Sequence, residues 1–185
     1  METRECIKTR RSIRRFTDEP VSDEMLVELL EAFRWSPSWA NTQVWEVVVV
    51  KDQALKEKLA GCVPEKNPGH KAVLQAPIVF AVCCKLGSSG YKGGELLTDK
   101  GDWYMFDAGI ASQNLCLAAH DLGLGSVHVG TLNHKVIDEL LGLPADIKSV
   151  EIIPVGHPAK EGAAPPRKEL ETFVYADRYG QKVSF

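Results

Sequence analysis

Lys8-Thr9-Arg10-Arg11-Ser12-Ile13-Arg14-Arg15-Phe16 holds five basic residues and no acid. The whole chain has 22 Lys and Arg against 25 Asp and Glu, a formal net charge of −3, so the cationic character is local. Guanidinium forks pair phosphate oxygens, and a hydroxyl such as that of Ser12 satisfies a remaining one. A solvated charged turn has a similar composition. The placement of Ser12 between Arg11 and Arg14, and the run into Phe16, bring the anion-site reading level with that one.

Working outward, residues 2–10 form a short helix leading into the basic segment. Beyond it, Ser22 is a good N-cap, with Asp23 and Glu24 in the first turn. Met25, Leu26, Leu29, Leu30 and Phe33 recur at helical spacing, which predicts an amphipathic helix over 23–35, stopped by Pro37. Residues 36–43 are a polar loop. Trp45 to Val50 has too many consecutive valines for a half-exposed strand and reads as a central one. Asp52 caps a short helix ending at Gly61. Residues 62–70 read as a loop, Pro77 to Cys84 as a second buried strand, and the glycine-rich 85–101 as a flexible excursion.

Residues 102–122 carry apolar side chains around most of a helical circumference, the pattern of a helix buried in the fold or in a subunit interface. Gly123 ends it. Ser126 to Val129 is a short strand, Asn133 caps a helix over 134–141 closed by Gly142, and 148–155 is another strand.

At 185 residues the chain is one domain, 1–185, long enough to bury a core. Apolar residues make up 44% and charged residues 25%, the ordinary globular mixture. No apolar run reaches the length of a membrane span. There is no apolar leader, and the five irregularly spaced cysteines make no disulfide framework, so a reduced, cytoplasmic setting is expected. The acidic balance argues against nucleic-acid binding, which needs a basic face.

Other constellations are weaker. Pro37 to Trp45 lies between a helix and a strand, a usual place for binding groups, and its Asn41 and Gln43 amides suit a heterocycle edge. Gly123-Leu124-Gly125 is not a dinucleotide fingerprint, because no Gly-x-Gly-x-x-Gly opens a helix after a strand. Gly130-Thr131 presents a backbone N–H where close approach is easy. His120, His128, His134 and the Cys83-Cys84 pair lack metal-ligand spacing, so no metal is expected, and the two cysteines read as core residues. Ser12 and Ser38 lack a nucleophile-elbow context. Asp107 reads as a hydrogen-bonded interior carboxylate.

In their order and spacing these segments resemble the nitroreductase family of FMN-dependent oxidoreductases. The matching residues are Arg10 to Phe16, Ser36 to Trp45, Asp107 to Leu115, Gly123 to Gly130, Leu140 to Pro144, Pro154 to Pro158 and Arg167-Lys168. The resemblance implies an α+β fold with a central, mostly antiparallel sheet flanked by helices, and a long buried helix at a homodimer interface. It implies FMN as cofactor and NADH or NADPH as cosubstrate. Position by position, Arg10, Arg11 and Ser12 match the phosphate and ribityl contacts, and Arg14 the basic residue at the flavin N1/O2 edge. Pro37, Ser38, Trp39 and Asn41 match the loop given by the other subunit. His128, Val129 and Gly130 match the strip beneath the isoalloxazine, with a backbone N–H near Gly130-Thr131 meeting N5. Arg167 matches a second phosphate ligand. Trp39, Val44 and Thr131 depart from the residues often found at their positions.

The implied activity is hydride transfer from NAD(P)H to a small acceptor, such as a nitroaromatic or quinone, by a ping-pong cycle, with no side chain acting as general acid. Three alternatives stand beside it. One is a specialised flavin enzyme of the same superfamily (an ene or pteridine reductase, a dehydrogenase or a dehalogenase). The others are a non-enzymatic flavin-binding protein and a phosphate-dependent module without flavin.

Overall fold

The computed structural model describes residues 1–184. Helix α1 (Thr3–Thr9) precedes the basic segment. Helix α2 (Asp23–Arg34) starts where Ser22 predicts, the Ser22 hydroxyl accepting from the Met25 N–H at 3.2 Å. Strand β1 (Trp45–Val50) leads into α3 (Gln53–Gly61), whose first turn is capped by the Asp52 carboxylate at 2.8 Å from the Leu55 N–H. Helix α4 (Pro68–Gln75) and strand β2 (Ile78–Lys85) follow. A hairpin of β3 (Tyr91–Lys92) and β4 (Glu95–Leu96) precedes the long helix α5 (Tyr104–Asp121). The chain continues through β5 (Gly125–Ser126), α6 (His134–Leu140) and β6 (Ile147–Gly156).

The main sheet has the order β1-β2-β6-β5, with every pairing antiparallel. Its two faces bury separate cores. Val79 and Ala81 of β2 pack with Leu59, Ala60, Ala72, Val73 and Ile137 from α3, α4 and α6. The alternate residues Ile78, Phe80 and Val82 pack with Leu29 and Phe33 of α2 and Ala111 and Leu115 of α5. The period-2 alternation of a strand thus divides one apolar run between two helical layers.

Three sequence expectations change. Strand β1 is not central: it pairs only with β2, at the edge of the sheet. Its valines run consecutively because both faces are covered, Val48 and Val50 toward one core and Val47 and Val49 toward the other. Two-sided burial and central position leave the same composition, but they are different facts. The expected loop over 62–70 gives way to α4 at Pro68, which occupies the first turn, where a missing N–H costs nothing, behind an Asn67 cap. The 85–101 excursion contains a hairpin turning at Gly93 and Gly94, with φ of 60° and 86°, the positive values a tight primed turn demands.

Helix α5 is buried along much of its length, with Ala108, Ala111, Leu115, Cys116 and Ala119 fully covered. Met105 and Phe106 in its first turn are exposed, so the apolar circumference is not closed within one chain. Cys83 and Cys84 are core residues, as expected, and burial pushes both thiols up to about 12. No helix among the described residues is long and apolar enough to cross a membrane.

Candidate cofactor site

The basic segment is stitched into the edge of the main sheet. Ser12 bridges Ser126 in parallel, the Ile13 N–H donating to the Ser126 carbonyl at 2.9 Å. Phe16 then bridges Pro158, with Thr17 N–H to His157 O at 2.9 Å and Ala159 N–H to Arg15 O at 3.0 Å. Ile13 and Phe16 point into the protein and are buried, which leaves Arg14 and Arg15 exposed.

Glycines make this docking possible. A Cβ on Gly125 would lie 2.6 Å from Ile13 Cβ, one on Gly156 3.2 Å from Phe16 Cδ1, and one on Gly162 2.6 Å from Arg11 Cβ. The glycines of Gly-Leu-Gly thus have packing and capping reasons of their own. Gly123, at φ 76°, terminates α5, and Gly125 clears room for Ile13. Gly125→Ala should cost about 1–3 kcal/mol through overpacking and displace the basic segment. Thermal unfolding checks it, and an unchanged midpoint would contradict the packing assignment.

Among the described residues, none of Arg10, Arg11, Arg14 and Arg15 forms an ion pair. Arg11 Nη1 donates to the Lys8 and Arg10 carbonyls at 2.7 and 2.8 Å, and Arg14 Nη1 only to Ser12 O at 3.3 Å. Arg10 Nη1 is buried and has no hydrogen-bond partner among the described residues. An unpaired buried donor costs the full desolvation penalty, so this atom calls for an acceptor. Arg11 also lines a cavity of about 510 Å³ with Thr9, His120, Leu124, Pro158 and Glu161. His120 Nε2 lies 2.8 Å from Thr9 Oγ1. Its pKa is lowered, first by burial and then by the neighbouring Arg10 and Arg11, with Asp121 opposing. The sequence marks His120 only as a candidate metal ligand; its pairing with Thr9 joins segments far apart in the chain and is set by tertiary contact.

The strip that follows β5 alternates. Val127 and Val129 are buried, Val129 exchanging both backbone hydrogen bonds with Ile152 at 3.0 and 3.1 Å. His128 and Gly130 face outward. A Cβ on Gly130 would meet nothing within 4 Å, and among the described residues neither the Gly130 nor the Thr131 N–H has a hydrogen-bond partner. His128 Nδ1 is 2.8 Å from Glu151 Oε2, and its Nε2 is 3.4 Å from Cys116 Sγ.

The loop holding Pro37, Ser38, Trp39 and Asn41 lies elsewhere. It is fixed at the start of α5, where the Trp39 N–H donates to Asp107 Oδ1 at 2.9 Å. The Ser36 hydroxyl accepts from Asn114 Nδ2 at 2.8 Å. Ala40, Asn41 and Gln43 hold φ of 45°, 56° and 48°. Non-glycine residues in this region are strained and persist only where surroundings over-determine them. The Asn41 side-chain oxygen is engaged by Gln43 Nε2 at 3.2 Å. Asp107 is a hydrogen-bonded interior side chain, as its sequence reading expects. Arg167 is exposed, and among the described residues its one side-chain hydrogen bond is to the Pro165 carbonyl, at 3.1 Å. Among the described residues no group of three or more His, Cys, Asp and Glu side chains is placed to hold a metal ion.

The fold and site define an α+β protein that carries an unneutralised cationic clamp against the edge of an antiparallel sheet. Residues 7–157 match the sequence profile of the Nitroreductase family, and the chain belongs to that family. It is 33% identical over 184 residues to an NAD(P)H-linked FMN reductase of Bacillus subtilis, covering 91% of this chain and 71% of that one. It is 31% identical over 188 residues to an oxygen-insensitive NADPH nitroreductase of Salmonella typhimurium, covering 96% and 74%. It also superimposes on an FMN-dependent nitroreductase of Clostridium difficile with a TM-score of 0.80 at 27% identity, covering 96% of this chain and 100% of the other.

Proposed function

We infer that the protein is an FMN-dependent NAD(P)H oxidoreductase. The observation that carries the reading is the unpartnered Arg10 Nη1 inside a basic segment that has no carboxylate partner and is locked to the sheet beside an open backbone strip. A phosphate monoester supplies the missing acceptors. Arg10, with Arg11 and Ser12, holds the phosphate and ribityl end. When bound, FMN supplies hydride acceptance and donation at N5. Arg14, exposed and with a single weak internal bond, supplies a positive charge at the N1/O2 edge, where it stabilises charge that develops on reduction. The Gly130-Thr131 backbone, open and unpaired, gives the N–H that orients the ring.

The family placement and the names of the relatives support the same activity. We extend it to small acceptors of the nitroaromatic and quinone type, with NAD(P)H and acceptor using one open face in turn, a ping-pong order. The site is completed by a second copy of the chain. The Pro37–Asn41 loop is fixed at the first turn of α5, whereas His120, beside the basic segment, lies in its last turn. An 18-residue helix separates its ends by about 27 Å. A homodimer in which the partner's loop meets this clamp, across the exposed Met105 and Phe106, brings both to one cofactor. Arg167 joins the phosphate in that assembly.

Purified protein should be yellow, or become so with FMN, and anaerobic NADH or NADPH should bleach it. Double-reciprocal plots against a quinone should be parallel. A colourless protein that acquires no flavin absorbance on adding FMN sinks the reading.

A further inference from the structure

His128 belongs to the outward-facing strip, yet its side chain is fastened from two other elements. From β6, Glu151 Oε2 lies 2.8 Å from Nδ1, and from α5, Cys116 Sγ lies 3.4 Å from Nε2. A bulge in the β2–β6 ladder makes this arrangement. Val82 pairs with Glu151 but the next residue, Cys83, pairs with Ser149, so Val150 is the extra residue. Two residues on a bulged strand oppose one on its partner, and the strand re-aims its side chains. Val150 and Glu151 consequently share the α5 side of the sheet, where Val150 packs in the core. Glu151, only 13% exposed, finds His128 there, while the His128 side chain remains 35% exposed on the open strip.

Both ring nitrogens are engaged inside the protein, so neither is left to pass a proton to a bound acceptor. We propose that His128 is a permanently charged imidazolium that, together with Arg14, stabilises the reduced flavin; this rests on the cofactor reading above. The Cys116 sulfur and the Glu151 carboxylate, the two titratable groups bearing on His128 from α5 and β6, outweigh desolvation and push its pKa up to about 10. A raised value means the proton is held at every pH below it, so the charge is constant from pH 6 to 8. A lone exposed imidazole, titrating near 6.5, would lose its charge across that interval. The competing explanation is structural: His128 is there only to neutralise a carboxylate that the bulge has turned inward.

Two experiments separate these. Imidazole nitrogen NMR of the flavin-free wild-type chain at pH 8 should show both His128 nitrogens protonated; a neutral ring overturns the proposal whether or not any cofactor binds. Anaerobic redox titration of the holoprotein at pH 6, 7 and 8 is the second. His128→Gln should lower the reduced-to-oxidised flavin ratio at a fixed poise about tenfold, which for a two-electron couple is about 30 mV. The double variant Cys116→Ala, Glu151→Gln should introduce a break in the potential-against-pH line between pH 6 and 8 that the wild type lacks, as His128, released from both partners, titrates. A His128→Gln protein that binds FMN with an unchanged potential at all three pH values overturns the proposal and leaves the structural explanation. A wild-type chain that takes up no flavin instead overturns the cofactor reading, with the NMR result still deciding the charge.

Discussion

Arg10→Ala should weaken FMN binding about 100-fold while leaving the thermal midpoint of the flavin-free chain unchanged or raised. In that chain Arg10 Nη1 is buried and unpaired, so deleting it removes a cost rather than a contact. In the proposed complex the same guanidinium would make charge-assisted hydrogen bonds to phosphate, each worth about 1.5–3 kcal/mol. Two such bonds at the lower figure amount to about 3 kcal/mol, or about two decades in the dissociation constant. Arg11→Ala should cost less, because Arg11 Nη1 is already spent on the Lys8 and Arg10 carbonyls at the end of α1. Titration of the flavin-free protein with FMN, followed by flavin fluorescence, measures both. Equal affinity of wild type and Arg10→Ala would place the phosphate elsewhere.

Asp107→Ala should lower stability by about 2–4 kcal/mol, since each buried donor left unpaired costs about 1–3 kcal/mol. The fully buried Asp107 accepts from the Trp39 N–H through Oδ1 and from the Ser89 hydroxyl, itself fully buried, through Oδ2 at 2.7 Å. It thus ties two loops to the first turn of α5, where an acidic side chain also suits the helix dipole. For a chain of this size the loss corresponds to roughly 5–15 °C in the melting temperature. Amide exchange at Trp39 should accelerate, because the strained Ala40–Gln43 turn loses the bond that over-determines it. Asp107→Asn keeps one acceptor and should fall between. A wild-type melting temperature with protected Trp39 in the alanine variant would remove Asp107 from this role. Because the loop carries Pro37, Ser38 and Asn41, its loosening should also weaken FMN retention if the partner's loop completes the site.

Much of this protein is legible one segment at a time. Ser22 and Asp52 mark helix starts because a short side chain capping a free N–H is a local event. The apolar circumference of α5 and the unbroken run of β2 declare burial for the same reason. Helix α4 escaped notice because its cues, Asn67 and Pro68, also punctuate loops. The hairpin escaped because glycines mark both flexible and sharply turned backbone. The edge position of β1 carries no local cue, since side chains record which faces are covered and not which backbone row is left unpaired.

The sequence by itself determined the types of most elements, α4 and the β3–β4 hairpin excepted, the two-sided burial of the sheet and the presence of a local cation cluster with a hydroxyl inside it. These depend on residues close together in the chain. The tertiary structure alone decided that Ser12 docks on Ser126, that Arg10 is left with an unpaired buried donor, and that Asp107 joins two loops. It also decided that a bulge delivers Glu151 to His128. Each of these is a pairing between distant segments, fixed by sheet register and by space that glycines leave open, and no short window of sequence contains both partners.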